Sequence, residues 1–299
     1  MVMKNQWKAW LYLLPSLFFL GAFMFYPLID VIIYSFEENF KFTTQIYTGI
    51  GLDNYRFIFS DYRFIEALKN TFLIVIITVP LSTIIALLIA AALNAIRPLK
   101  KIFQTIFFLP YVTNALAVGL VFMVMFDLTP DTIGVMNTIL SWFGIEAIDW
   151  LNGSYFSKMF VLCTYIIWNV MPFKILVFIG ALQSVKPELY DAGKVDGASK
   201  TRRFFKITIP MISPMISYLV ITGFIGAFKE YSNAVGIYGE DLNFYGMNTI
   251  VGCVYDYLYA ATGGYPSRAA AAAIVLFAII MAITAVNLLI SKKKVNYYA

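Results

Sequence analysis

Two sets of side chains in this 299-residue chain sit in surroundings that do not account for them. The first is a charged insert, residues 184–206, reading SVKPELYDAGKVDGASKTRRFFK. It carries 9 of the chain's 39 charges (22 Lys and Arg, 17 Asp and Glu), far above an even share. The second is a scatter of polar and aromatic groups inside apolar stretches: Tyr111 and Asn114; Tyr165, Trp168, Asn169, Phe173 and Lys174; and Lys229, Glu230 and Tyr231. Polar groups at membrane depth are costly and usually face a cavity or a protein neighbour. Aromatic faces beside amide and charged groups suit sugars, whose C–H faces stack while their hydroxyls need partners. The competing use is packing: aromatics wedge between helices and polar groups bond across them. Lys174 is the sharpest case, since it would either contact an anionic substrate or pair with an acidic side chain of a partner subunit.

Catalytic chemistry is poorly provided for. The chain has no histidine, which removes Ser–His dyads, HExxH zinc sites and histidine proton relays together. No stretch pairs two acids as an intramembrane aspartyl dyad would, and no phosphate-binding G-x-x-x-x-G-K-[ST] loop is present. The nearest approach, Gly193-Lys194, has Glu188 in place of the first glycine and Val195 in place of Ser or Thr. If the chain moves a solute uphill, the energy comes from another subunit or an ion gradient. Cys163 and Cys253 do not make a disulfide framework. Asn152-Gly153-Ser154 matches a glycosylation sequon that arises often by chance.

The elements that position these groups follow from composition. The chain is 61% hydrophobic and 13% charged, with a mean hydropathy of +0.77. A soluble domain is about a quarter charged. Its apolar runs approach the ~20 residues that cross a ~30 Å hydrocarbon core. This predicts an all-α polytopic membrane protein with spans near 10–35, 70–94, 102–126, 159–182, 209–229 and 268–290, as a single transmembrane domain over 1–299. The first span is read as a true span, because it is too long for a signal-peptide core and no small-residue cleavage site follows. Placing both termini on one side gathers Lys4, Lys8, Arg97, Lys100, Lys101, the six bases from Lys186 to Lys206, and Lys292, Lys293 and Lys294 there. By the positive-inside rule that side is cytoplasmic. The net charge of +5 therefore reports topology and gives no support for nucleic-acid binding. The run Ala269 to Ala273 reads as a close helix–helix seam.

The insert falls between spans four and five, on the cytoplasmic side. Pro187 suits a first helical position. Val185, Leu189 and Ala192 make an apolar stripe, while Glu188, Asp191 and Lys194 face elsewhere. Gly197 stands where a left-handed turn would end the helix. A second short helix over 199–205 carries Lys200, Arg202 and Arg203 opposite Phe204 and Phe205, and Pro210 and Pro214 open the next span. A plain anchoring loop needs none of this, so the insert reads as a docking element.

Residues 188–198, ELYDAGKVDGA, continuing through Phe204, Phe205, Ile207 and Thr208 to Pro210, resemble the EAA loop of ABC importer permeases. That pattern is approximately E-L-x-E-A-A-x-x-D-G-A, then F-F-x-I-T-L-P. Phe108-Leu109-Pro110-Tyr111, Gly180-Ala181-Leu182-Gln183-Ser184 and Val286-Asn287-Leu288 extend the likeness over nearly the whole chain, in the style of the maltose and glycerol-3-phosphate systems. Two departures stand out: Asp191 replaces a glutamate, and Gly193 replaces an alanine, weakening the helix by about 1 kcal/mol.

The resemblance implies a type I importer permease fold with six spans and cytoplasmic termini, in the plasma membrane of a prokaryote. It implies a second six-span permease subunit, normally a different chain, and an extracellular solute-binding protein. It also implies two cytosolic ATPase subunits that carry ATP and Mg, with no cofactor in this chain. The cargo implied is a carbohydrate, an oligosaccharide first, with glycerol-3-phosphate or a polyol as the alternative. Coupling to the ATPase falls on Glu188, Asp191, Ala192, Gly193, Gly197 and Ala198. Tyr111, Asn169, Phe173, Ala227 and Glu230 match positions that line the sugar site. An ion-gradient-driven transporter would need an inverted repeat, and none is visible.

Overall fold

A computed structural model describes residues 6–42, 44–95, 105–106, 113–260 and 264–294. The chain is mostly helical and folds as two compact units, one of residues 1–65 with 253–278, the other of residues 66–252 with 279–299.

In the first unit, helix α1 (Gln6–Leu20) passes through a π-helical turn, Gly21–Phe25, into α2 (Tyr26–Phe36). Tyr26 N–H bonds Gly21 O, one residue further back than in an α-helix. The wider turn comes just before Pro27, which has no N–H to give. The two helices form one continuous apolar length, Trp10–Phe36, in which Ser35 alone is buried inside the chain. A two-stranded antiparallel hairpin follows, β1 (Glu37–Glu38) with β2 (Gly49–Ile50), pairing Glu37 with Ile50. Next come α3 (Asp53–Ser60) and the start of α4 (Tyr62–Ala95).

Asp61, in the joint between α3 and α4, ties this unit together. It accepts Arg63 N–H at 3.0 Å, pairs with the Arg63 guanidinium at 3.0 Å and accepts Tyr257 O–H at 2.8 Å. Tyr257 lies on α13 (Ile250–Leu258). Burial alone would raise the Asp61 carboxyl, but the bonds from Arg63 and Tyr257 outweigh it and hold the group below its ordinary value. A depressed carboxylate stabilises the fold above its unfolded pKa of about 3.9, and acid removes that contribution as pH falls through the folded value. Asp61→Asn should therefore lower stability near pH 7 by about 1–3 kcal/mol. The gap to the wild type should close as the pH drops below about 4. Alkylation of the buried Cys253, whose thiol faces Arg63 O at 3.6 Å, reads this opening locally. Equal alkylation rates at pH 7 would refute the tie.

The second unit takes α4 from residue 66 onward, then α5 (Ala115–Phe126), α6 (Val135–Ser141) and α7 (Tyr155–Ser184). Ser154, the serine of the sequon, caps α7 by accepting Ser157 N–H at 3.2 Å. The insert supplies α8 (Pro187–Val195) and α9 (Lys200–Arg203), then a π-helical turn, Phe204–Thr208, and α10 (Ile209–Met211). Beyond it lie α11 (Ser213–Phe228), α12 (Ser232–Tyr238) and the end of α14 (Pro266–Lys294). One core packs Phe122, Phe126, Tyr165, Ile166, Ala234 and Ile237 where α5, α7 and α12 meet. A second packs Ala86 and Ala90 of α4 against Ile175, Phe178 and Ile179 of α7 and Leu219 of α11. Small residues four apart let such helices approach closely. The alanine run Ala269–Ala272 on α14 is buried, and Ala273 is half-buried.

Among the described residues four helices are long and apolar enough to cross a membrane: Trp10–Phe36, Tyr62–Ala95, Tyr155–Ser184 and Pro266–Lys292. Lys200–Met211 with Ser213–Phe228 makes a fifth if the pair, bent by 66°, is one span. Of the expected third span, 102–126, residues 102–104 and 107–112 lie outside the described residues, as do Lys4, Arg97, Lys100, Lys101 and the Phe108-to-Tyr111 motif. The described stretch holds α5, 12 residues long. The second span begins earlier than expected, at Tyr62 instead of 70, because Phe64 and Ala67 bury an amphipathic first stretch beyond the apolar run. The fifth was expected over 209–229, with Pro210 and Pro214 opening it. It breaks at Ile212, between Pro210 and Pro214, each of which lacks the N–H that would continue the ladder.

Candidate functional site: a polar cavity and a helical hairpin

A cavity of about 310 Å³ opens inside the second unit. From α7 it takes Ile166, Asn169, Val170, Phe173 and Lys174, and from α11 Leu219, Thr222, Gly223, Gly226 and Ala227. Both sets step by three and four, so each is one face of its helix. Thr78, Val79 and Ser82 of α4 close a further side, and Glu230 and Asn233 close the end where α12 begins.

The polar groups are held from within the chain. Lys174, on the middle of α7, extends to α4 and gives protons to Ser82 Oγ at 2.7 Å and Thr83 Oγ1 at 2.9 Å. Among the described residues no ion pair includes it. Glu230 precedes α12 and acts on that helix's exposed N–H groups. Its Oε1 accepts Asn233 N–H at 3.0 Å and its Oε2 accepts Asn233 Nδ2–H at 2.9 Å. Among the described residues, Asn233 Oδ1 is buried with no hydrogen-bond partner. An unmade bond of that kind costs about 1–3 kcal/mol.

Asn169, Phe173, Lys174, Ala227 and Glu230 thus line one cavity. The other residues singled out in the sequence have different positions. Tyr165 is fully buried, gives its O–H to Ala115 O and packs on Phe122 at 4.8 Å between ring centres. Trp168 packs on the same ring at 5.5 Å. Asn114 caps α5, accepting Leu116 N–H at 2.8 Å. Tyr111 lies outside the described residues. Sequence reading passed over Thr78, Ser82, Thr222, Gly223 and Asn233. The signal was present: Thr222 and Gly223 share the helical phase of Ala227, and Asn233 follows Glu230 by three.

The insert is a helical hairpin. α8 ends in a Schellman turn: Gly197 has φ +70°, Gly197 N–H bonds Lys194 O at 3.0 Å, and Ala198 N–H bonds Gly193 O at 2.9 Å. Ser199 then caps α9 through Arg202 N–H at 3.2 Å. The expected second helix, 199–205, is α-helical only to Arg203 before it widens. The arms are joined by Tyr190 O–H and Thr208 Oγ1 at 2.9 Å. Gly193 is buried between them, and a Cβ there would come within 3.0 Å of Ile207 Cδ1. An alanine there would be met first by the movable side chains of Ile207 and Arg203. Val185 is buried, while Leu189, Ala192 and Val195 face outward with Glu188 and Asp191, leaving an apolar strip unpartnered by the chain.

Residues 82–295 match the family described as binding-protein-dependent transport system inner membrane component. The arabinooligosaccharides transport system permease protein of Halalkalibacterium halodurans is 34% identical over 77% of this chain and 72% of its own. The lactose transport system permease protein of Rhizobium radiobacter is 30% identical over 86% of this chain and 88% of its own. In structure, the chain superposes on a subunit of a bacterial alginate ABC transporter in complex with an alginate pentasaccharide-bound periplasmic protein. The TM-score is 0.79, with 24% identity, over 97% of this chain and 96% of that one. That fold is a type I ABC permease. The chain therefore belongs to the family of binding-protein-dependent transport system inner membrane components, as a multi-pass membrane permease subunit of an ABC importer that is not itself an enzyme.

Proposed function

We propose that the chain forms one half of the translocation path of a carbohydrate importer and that its cargo, an oligosaccharide first, passes through the cavity of the second unit. In this reading one permease domain crosses the membrane six times, residues 102–126 making the third crossing, with both termini in the cytoplasm. A second permease subunit closes the path. Two cytosolic ATPase subunits, which carry ATP and Mg, receive the hairpins, and an extracellular solute-binding protein delivers the sugar. Glu188, Asp191 and Ala192, with Leu189 and Val195 beside them, form the docking face. Gly193, Gly197 and Ala198 set the angle between the arms. A permease responds to ATP only through contacts that differ between its states, so a stiff hairpin is required.

The observation that carries the cargo reading is the cavity lining itself, which brings the Asn169 and Asn233 amides, the Thr222 hydroxyl and the Phe173 ring round one space. Amide and hydroxyl groups of that kind partner sugar hydroxyls while the ring takes a C–H face. Arabinooligosaccharides and lactose, in the names of the two relatives, belong to the same chemical class. The test is gentle purification from the native membrane, then ATP hydrolysis in lipid with the solute-binding protein and a panel of carbohydrates. A co-purifying ATPase and stimulation by one sugar class are expected, and Asn233→Ala should weaken the response to that sugar about three- to tenfold. Recovery without any ATPase would overturn the reading.

A further inference from the structure

The cavity's charge is uneven in a way that a neutral sugar does not require. Lys174 is 4% exposed, yet it lines the cavity. An ammonium has three protons to give. Two go to the hydroxyls of Ser82 and Thr83, and the remaining neighbour, Val79 O, lies at 3.5 Å, the limit of a hydrogen bond. All three acceptors are uncharged. A cation taken out of water and met only by neutral acceptors lacks the counter-charge that such groups normally keep. Glu230, the one acid among the described residues lining the cavity, already accepts two Asn233 amide protons and makes no ion pair with Lys174.

Gly223 of α11 lines the same cavity, and a Cβ there would meet Val79 Cγ1 at 3.2 Å and Lys174 Nζ at 3.4 Å, so the glycine lets α11 come close to the ammonium.

We propose that Lys174 makes the cavity select solutes that carry an oxyanion on a hydroxyl-bearing frame, the oxyanion docking on the cavity side of Lys174 and the hydroxyls turning to Asn169 and Thr222. This rests on the cavity being the solute path. A carboxylate, sulfonate or phosphate oxygen accepts the third ammonium proton and supplies the missing negative charge. The hydroxyl ties to α4 hold Nζ in place for it.

The solute-binding protein has its own selectivity, so the test leaves it out. The assembled complex of both permease subunits and the ATPases is placed in nanodiscs. Saturation-transfer NMR then titrates three matched pairs: glucose with glucuronate, cellobiose with cellobiouronate, and glycerol with glycerol-3-phosphate. The wild type should favour an anionic member by about ten- to hundredfold, the size of a charge-assisted hydrogen bond. Preference confined to the uronates identifies an acidic saccharide, and preference confined to the phosphate identifies a phosphorylated polyol. Lys174→Gln should bring the ratio near one, and Lys174→Arg should keep most of it. Equal binding of neutral and anionic members by the wild type overturns the proposal, whether or not the variants assemble, and leaves the carbohydrate cavity standing. A ratio that survives in Lys174→Gln overturns it too. Binding of no member removes the cavity reading along with it.

Discussion

Replacing Gly197 by valine is expected to abolish solute uptake while the chain still reaches the membrane in normal amount. Nothing lies within 4 Å of where a Cβ at this position would be, so the effect is not one of packing. It comes from the backbone: φ is +70°, a region that costs an L-residue about 1–3 kcal/mol and a β-branched one most. Helix α8 has nine residues, too short to hold itself in water. Twisting the turn out of the left-handed region breaks the two closing bonds, Gly197 N–H to Lys194 O and Ala198 N–H to Gly193 O, and frees the angle between the arms. Gly197→Asn should keep most of the uptake, because asparagine tolerates this conformation, and Gly197→Ala should fall between. Uptake of labelled solute, normalised to the protein in the membrane, reads the series. Wild-type uptake by the valine variant would take the hairpin out of the coupling path.

Gly119→Ala is expected to damage the second unit out of proportion to one methyl group. A Cβ at Gly119 would lie 2.5 Å from the carbonyl carbon of Gly236 and 2.6 Å from its Cα and O, all backbone atoms that cannot turn aside. Helices α5 and α12 would have to separate. That disturbs the core of Phe122, Tyr165 and Ala234 and the bond from Tyr165 to Ala115 O. Overpacking of this kind costs about 3 kcal/mol. The reverse change, Gly236→Ala, meets its nearest atoms, Ala115 O and Gly119 Cα, at 3.3 Å and should cost less. Thermal unfolding of the two variants in detergent should rank them in that order. Equal midpoints would mean that the crossing is looser than the structure has it.

The hairpin was readable because its signals are local: Pro187 at a first turn and Gly197 at a left-handed stop each act within a few residues. Polar and aromatic character at membrane depth also picked out the cavity residues of α7, Asn169, Phe173 and Lys174. It could not tell them from Tyr165 and Trp168, which pack on Phe122. Lys174 shows why. The Ser82 and Thr83 hydroxyls that receive it lie more than 90 positions earlier and are ordinary residues in an apolar run. Asn233 was passed over for the opposite reason: its amide looks like loop chemistry, and only burial shows that one oxygen has no donor. The apolar stripe of α8 was visible, but not its direction. Leu189 and Ala192 are exposed among the described residues, whereas Val185 is buried.

The 66° elbow at Ile212 makes the hairpin a bell-crank. A pull along the short arm, from Lys200 to Met211, resolves mostly across the axis of α11 and only in smaller part along it. The long arm therefore swings where a straight rod would slide. Gly223, Gly226 and Ala227 ride on that arm, so a small stroke at the hairpin would emerge as sideways travel of one cavity wall.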